Sequence, residues 1–475
     1  MLFNSFVFLV FLAIVLPVHH LLSKRYRNIF LLGCSYVFYG YWDWRFLSLI
    51  LMSTMLDYFV GLAIHRTDDR TRRNRLLFLS VAGNLTLLGV FKYYNFFVDS
   101  FADLASVFGL HLDFAHLNVL LPVGISFYTF QTLSYTIDIY RGRMEPTKSF
   151  QNFALFVAFF PQLVAGPIER AAHLLPQIER KPDATWDDFS EGFALVTMGM
   201  FRKVMIGDTC GRIVDQIFAD PSLYSSGELL MGAMLFCIQI YADFSGYSHI
   251  ARGTARFFGI HIMVNFEQPY LSANITEFWR RWHISLSSWL RDYLYISIGG
   301  NRKGKVWTYA NLMITMLLGG LWHGAMYTYV FWGFLQGLFL SIHKIMLKGK
   351  KVSLGFTYNG IKSLAVFILK VAGTHVLVIF GFLFFRAQSF TTGWYILKKW
   401  VFWEPGEYAS QVFTIVFTYY VVTYAIDIME YVTKDHTFVL KLKPAYRYGL
   451  YLALWMVTLV YMFQVQPMPF IYFQF

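Results

Sequence analysis

The chain has 475 residues, of which 57% are hydrophobic and only 14% charged, with a net charge of +12 and a mean hydropathy of +0.47. Soluble proteins are typically about one quarter charged, so this composition excludes a water-soluble globular enzyme and points to a surface made for lipid. The positive charge does not read as a nucleic-acid footprint, because the basic residues fall in separate clusters between apolar runs, the pattern of cytoplasmic loops in a membrane protein.

Apolar runs recur in chain order at Leu2–Leu22, Phe46–Ile64, Leu76–Val90, Leu229–Ile240, Tyr309–Leu318, Tyr327–Ile342, Ser363–Phe385, Val412–Ile428 and Leu450–Phe463. A span needs about 20 apolar residues. The runs predict an all-α polytopic membrane protein of ten to twelve segments, some of them short and re-entrant, in one multi-pass domain covering residues 1–475. The first run has no basic residue before it and no small-residue cleavage site after it, so it reads as a retained helix, not a signal peptide. The three cysteines are scattered, with no metal-ligand spacing and no disulfide framework.

Basic clusters lie at Lys24–Arg27, Arg66–Arg75, Arg141–Lys148, Arg180–Lys181, Arg252–Lys305, Lys344–Lys351 and Lys434–Arg447. The stretches Tyr93–Tyr140 and Ile213–Ala251 hold no Lys or Arg. The clusters are expected on the cytoplasmic side, the loops of the two basic-free stretches outside, and both chain ends outside. Gly and Pro interrupt the apolar runs at Pro122-Val123-Gly124, Pro161 and Gly166-Pro167. Such breaks are tolerated at membrane depth only where backbone is buried in protein or lines a cavity.

The stretch from Asn274 to Gly333 concentrates the polar chemistry. Asn274–Arg291 reads as one amphipathic helix capped by Asn274, with Glu277 in the capping-box position. It carries Arg280, Arg281, His283 and Arg291. One reading is a helix lying on the cytoplasmic leaflet. The other is that Arg280 and Arg281, with Arg302 and Lys303 beyond, hold an anionic ligand through fork-shaped, charge-assisted hydrogen bonds. His323 follows Gly319-Gly320 and precedes Gly324-Ala325, small residues that allow close approach, and Trp322 beside it supplies a rigid wall. An ionisable group at this depth is a functional candidate, with a hydrogen-bonded structural histidine as the alternative. Asp243, the single acid of its apolar stretch, is expected to pair with a cation such as an arginine. There is no nucleotide-binding glycine loop and no nucleophile elbow.

Eight segments taken together resemble the membrane-bound O-acyltransferases, and among them the bacterial polysaccharide O-acetyltransferases. They are Leu121-Pro-Val-Gly-Ile-Ser-Phe-Tyr-Thr-Phe-Gln131, Phe160-Pro-Gln-Leu-Val-Ala-Gly-Pro167, Asp243-Phe-Ser-Gly-Tyr-Ser248, Asn265-Phe-Glu-Gln-Pro-Tyr270, Thr276-Glu-Phe-Trp-Arg-Arg-Trp-His-Ile-Ser-Leu-Ser287, Leu290-Arg-Asp-Tyr-Leu-Tyr-Ile296, Gly299-Gly-Asn-Arg302 and Gly319-Gly-Leu-Trp-His-Gly324. Phe385-Arg386-Ala387 matches a further short motif. The chain departs from the family's pattern at His249, where an acid commonly follows Ser-Gly-Tyr-Ser.

The resemblance implies a helical bundle with a central tunnel and catalytic roles for His323 and His283. It implies acetyl-CoA as co-substrate; the reading of the residues adds Arg280, Arg281, Arg302, Lys303 and Trp322 as the groups expected to hold that donor, with no permanently bound cofactor and no metal. It implies an acceptor polymer outside the bacterial cytoplasmic membrane, alginate or a similar exopolysaccharide or peptidoglycan, and an extracytoplasmic partner protein. The reading from another class is a transporter or flippase of an acylated carrier, which would show paired broken helices and midplane acids.

Overall fold

The structure is a computed structural model that describes every residue except Ala165, Lys351, Ser353, Pro405, Glu407, Tyr408, Gln474, Phe475 and the side chain of Ala409. Ala165 of the Phe160–Pro167 segment and Lys351 of the basic cluster therefore lie outside the described residues. Among the described residues the regular structure is helical, with no strand. Two compact units are present. One comprises residues 1–188, 254–262 and 324–326, the other 189–253, 263–323 and 327–475.

The first unit holds α1 (Phe6–Leu21), α2 (Lys24–Asp43), α3 (Leu47–His65), α4 (Arg70–Leu88), α5 (Tyr94–Val107), α6 (Ile125–Tyr140), α7 (Phe150–Ala158), α8 (Phe160–Leu163) and α9 (Ala171–Arg180). The Gly and Pro breaks fall where the sequence places them. Gly124 takes a positive φ of 77° as the cap of α6, and a Cβ there would stand 2.9 Å from the Leu163 carbonyl oxygen. Only glycine fits both the left-handed backbone and that close approach. α3, α4 and α6 are pinned together by a buried acid that the sequence reading passed over. Asp57 accepts from the Asn84 side-chain amide at 2.7 Å, from the Thr136 hydroxyl at 2.8 Å and from the Ser80 hydroxyl. A buried carboxylate so surrounded is satisfied by its donors and fixes the register of three helices.

The second unit holds most of α10 (Trp186–Met200), then α11 (Thr209–Ala219), α12 (Ser226–Arg256, to Gly253), α13 (Ile275–Arg281), α14 (Ile284–Trp289), α15 (Lys305–His323), α16 (Tyr327–Met346), α17 (Ile361–Arg386), α18 (Phe390–Val401), α19 (Ala409–Thr433) and α20 (Pro444–Gln464). α12 is its core helix, with 83% of its most apolar window buried. It packs on α10 through glycines: a Cβ on Gly199 would meet the Gly246 carbonyl oxygen at 2.7 Å. Small residues let helix backbones approach in this way at membrane depth. α15 and α16 form an antiparallel pair that is equally close, because a Cβ on Gly320 would lie 2.2 Å from the Tyr329 carbonyl oxygen.

Between α10 and α11 a wide π-type turn, Phe201–Asp208, aims two adjacent cations at different acids. Arg202 reaches Asp427 at 3.0 Å and Glu430 at 2.9 Å, and Lys203 reaches Asp208 at 2.5 Å and Asp243 at 2.7 Å. Asp243 does have a cationic partner, but it is a lysine and not an arginine.

Among the described residues five helical stretches are long and apolar enough to cross a membrane: Lys24–His65, Arg70–Val107, Ser226–Arg256, Ile361–Arg386 and Ser410–Thr433. Phe6–Leu21 is a shorter apolar helix. The windows in 70–107 and Ser410–Thr433 are only 17% buried, and they expose Phe78, Phe97, Phe417 and Val421. Exposed apolar helix faces of this extent belong against lipid, and the protein is a multi-pass membrane protein.

Candidate active site

The helix expected over Asn274–Arg291 is broken in the middle. Its start is as expected: the Asn274 side-chain oxygen accepts from the Glu277 N–H at 2.9 Å, and Glu277 reaches back to the Ala273 N–H at 3.0 Å. α13 then ends at Arg281. His283 sits in the break with a left-handed backbone, φ 43° and ψ 55°, and α14 begins after it. A non-glycine residue held there costs of order 1 kcal/mol or more and persists only where its surroundings over-determine it. Here Asn265 does so. Its backbone carbonyl accepts from the Ile284 N–H at 2.9 Å. Its side-chain oxygen accepts from the Ser285 hydroxyl at 2.9 Å and N–H at 3.2 Å, and from His283 Nδ1 at 3.2 Å. An amide oxygen only accepts, so Nδ1 carries the proton and Nε2 is the basic nitrogen.

His323 is the last residue of α15. It and His283 are both buried, at 3% and 0% exposure. Aromatic rings pack against it: Trp322 and Trp332 at 5.1 Å, Phe385 at 5.2 Å and Tyr472 at 5.4 Å between ring centroids. His283 packs against Phe244 at 4.6 Å, Trp322 at 5.9 Å and Tyr472 at 6.2 Å. Trp322 and Tyr472 are thus shared walls, and the two histidines belong to one water-poor aromatic chamber. A neutral imidazole in such a place can take a proton where bulk water has no access.

A cavity of about 1450 Å³ opens in the same unit, walled by α13 to α16 and the segments that follow α14 and α16. Arg280, Arg291, Lys305, Lys344, Lys348 and Lys350 line it, and among the described residues no carboxylate does. Its inner wall is Leu290, Leu312, Thr315, Met316 and Leu340. Met316 and His323 lie on the same helix seven residues apart, about 10 Å along its axis. A cationic mouth leading to an apolar interior suits a ligand with an anionic head and an uncharged arm.

Of the residues expected to hold a donor, Arg280 lies in this wall. Arg281 is turned away from it, bonded to Glu277 at 3.0 Å and to the Glu267 carbonyl at 3.0 Å, and stacked over Tyr431. Arg302 and Lys303 are exposed beside the cavity without lining it, and Trp322 belongs to the histidine chamber. Sequence reasoning missed Lys344, Lys348 and Lys350 as part of this site, since they read as an ordinary cytoplasmic cluster. It also missed Asn265 as the partner of His283, and Tyr472, which is far from both histidines in sequence.

The model of the membrane-bound O-acyltransferase family matches residues 145–367, which include both histidines and the described cavity-lining residues. The chain is 46% identical over 393 residues to "Probable alginate O-acetylase AlgI" of Pseudomonas putida, covering 82% of this chain and 78% of that one. It is 34% identical over 405 residues to the peptidoglycan O-acetyltransferase of Helicobacter pylori, covering 80% and 74%. The teichoic acid D-alanyltransferase of Bacillus subtilis is 25% identical over 288 residues, covering 58% of this chain and 70% of that one. With identity at this level over four fifths of its length, the chain belongs to the membrane-bound O-acyltransferase family and is an acyltransferase.

Proposed function

We propose that the protein takes an acetyl group from cytoplasmic acetyl-CoA and passes it across the bacterial cytoplasmic membrane for O-acetylation of a polysaccharide outside, alginate or a similar exopolysaccharide. The observation that carries this reading is the pairing of a cavity lined by arginines and lysines with a buried two-histidine chamber at the end of the same helix, α15. The CoA phosphates sit at the cationic mouth, and the extended pantetheine arm brings the thioester past Met316 toward His323. In the transfer, His323 accepts the proton of the acceptor hydroxyl as its oxygen bonds to the acetyl carbon. The carbon–sulfur bond breaks, and the thiolate leaves with that proton. General-base help of this kind is worth about 10²–10⁴-fold. His283, oriented by Asn265, positions the thioester from the donor side.

In this reading the chain acts as one catalytic domain of ten to twelve membrane segments, with the broken α13–α14 helix re-entrant beside a central tunnel. CoA never crosses the membrane; only the acetyl group does. An extracytoplasmic partner protein receives or delivers that group, and neither a nucleic acid nor a resident cofactor takes part. The likeness to the peptidoglycan O-acetyltransferase supports peptidoglycan as the second acceptor to test. The buried acids Asp57 and Asp243 are each engaged by internal donors or a cation, which counts against an ion-coupled transporter.

The test is transfer of labelled acetyl from acetyl-CoA by the full chain in proteoliposomes, with the partner encoded beside it and with alginate or peptidoglycan fragments as acceptor. Label on polymer only with the partner present is the expected result. Full-rate labelling with no second protein would remove the partner from the scheme, and thioester turnover without label on any polymer would remove the acceptor class.

A further inference from the structure

Away from the histidine chamber, α12 and the end of α19 bring three ligand-bearing side chains to one point. His249 Nε2, His436 Nδ1 and a Glu430 carboxylate oxygen all lie within 4.8 Å of one another. His249 and Glu430 are buried, and the His436 side chain is 14% exposed.

Each side chain is held in a ligating orientation by something else. His249 Nδ1 lies 2.7 Å from the Ser245 carbonyl oxygen, one turn back on α12. A carbonyl only accepts, so Nδ1 carries the proton and Nε2 presents its lone pair to the cluster, the arrangement metal-bound histidines show. Glu430 is fixed by Arg202 at 2.9 Å on one oxygen and by the Gln268 amide at 3.0 Å on the other. His436 follows a reversal at Lys434, whose φ is 52°. The turn is tied by the Asp435 N–H to the Glu430 carbonyl at 3.2 Å, and by Asp435 accepting from the Thr437 N–H at 2.7 Å. That turn points His436 Nδ1 at His249 Nε2, 3.0 Å away, and 3.6 Å from Glu430 Oε2.

We infer that His249, His436 and Glu430 form a binding site for zinc or a similar late first-row divalent ion, a clasp between α12 and the turn after α19. The donor set is two imidazole nitrogens and one carboxylate oxygen, which suits zinc. Two nitrogens bonded to zinc at about 2.0–2.1 Å in a tetrahedron stand about 3.3 Å apart, so the imidazoles need part by only a few tenths of an ångström. The carboxylate oxygen is already at such a spacing from His436, and the fourth position is left for water. The electrostatics favour this ion class over calcium or magnesium. Arg202 stands beside Glu430, and Arg252 lies one turn along α12 from His249. A hard cation held chiefly by charge would be repelled there, whereas zinc is held by its bonds to imidazole. In the absence of metal the same geometry lets His436 donate to His249 directly, and the experiment separates the two arrangements.

The full chain, purified in detergent through a tag free of histidine, is incubated with zinc, desalted, and assayed for metal by mass spectrometry. The proposal expects one zinc per chain, no retained magnesium or calcium, and loss of the zinc in His249→Ala and in His436→Gln. Cobalt loading should give visible d–d absorption in the unsubstituted protein and none in His436→Gln. His436→Gln changes a loop side chain, so it folds even if the change within α12 does not. Its unfolding midpoint should no longer rise on addition of zinc. No retained zinc in the unsubstituted chain, or equal zinc and equal cobalt spectra in His436→Gln, would overturn the site in favour of a plain histidine–histidine hydrogen bond.

Discussion

The carboxylate of Asp243 accepts a hydrogen bond from the backbone N–H of Ile471 at 2.8 Å, while its other oxygen meets Lys203 at 2.7 Å. The residue after Ile471 is Tyr472, which packs on both histidines. An acid in the middle of α12 therefore anchors a segment near the end of the chain against the candidate active site. With Asp243 removed Lys203 keeps Asp208 at 2.5 Å, so what is lost is charge-assisted hydrogen bonding, about 1.5–3 kcal/mol for each bond. Asp243→Ala should lower the unfolding midpoint in detergent markedly and release the 471–473 turn. Replacing Lys203 by methionine in the same chain should lower the midpoint further, because Asp208 would then be left buried without its cation. Equal midpoints for Asp243→Ala and the unsubstituted protein would show the pair to be unimportant.

Tyr472 contributes a wall, so its ring should matter more than its hydroxyl. Tyr472→Ala should reduce acetyl transfer about 10²-fold, the scale of a displacement of about 1 Å at a reacting centre. Tyr472→Phe should retain most activity. Steady-state rates in proteoliposomes check this, and a larger loss in the phenylalanine variant would move the role to the hydroxyl.

The two histidines should separate kinetically. His323→Gln keeps a hydrogen-bonding side chain of similar reach but has no base at neutral pH, and should lose about 10²–10⁴-fold in turnover. His283→Ala should lose less turnover and raise the KM for acetyl-CoA more. If His323→Gln turned over near normally with an unchanged pH profile, His323 would be an orienting residue.

The cavity cations should set donor affinity. A charge-assisted hydrogen bond is worth about 1.5–3 kcal/mol, so Lys305→Ala and Lys344→Ala should each raise the KM for acetyl-CoA about tenfold or more. Turnover at saturation should be little changed, and added salt should reduce the difference. Arg302→Ala with Lys303→Ala, outside the wall, is the comparison. An equal or larger effect from that pair would place the phosphates further along the surface.

Membrane orientation is checked by labelling Asp69→Cys and Asp103→Cys, both at exposed positions, in a chain whose half-buried Cys34 has been replaced. The basic cluster at 66–75 should be labelled from the cytoplasmic side and Asp103 from outside. Reaction of both from the same side would reverse the assignment of one of them.

Several of these features are set by local rules and were legible without coordinates. Composition decides for lipid, because so few charges cannot cover a chain of this size in water. The cap at Asn274 and the break at Gly124 follow from the short-range chemistry of single residues and were readable as such. His323 stood out because an ionisable group beside small residues at membrane depth is costly, whereas His283, on an amphipathic helix, was marked only by the family resemblance. The family motifs in the middle of the chain carried the reading from there to acyl transfer.

The tertiary structure decided what depends on residues far apart in sequence. Periodicity predicted one helix over Asn274–Arg291, since apolar spacing cannot show that Asn265 will supply carbonyl and amide oxygens that hold His283 in a left-handed break. Hydrophobic pattern likewise cannot tell which cation reaches Asp243, as Arg202 and Lys203 are neighbours and only the wide turn at 201–208 sorts them between two acid pairs. Arg281 looked like Arg280 on paper, and folding committed it to Glu277 and Tyr431. Lys344, Lys348 and Lys350 became part of the cavity, and Tyr472 part of the histidine chamber, because α16 folds back on α15 and Asp243 ties down the Ile471 N–H. Side-chain type and local spacing determine which segments are buried and which residues are costly there; which of those residues meet is determined by packing between distant helices.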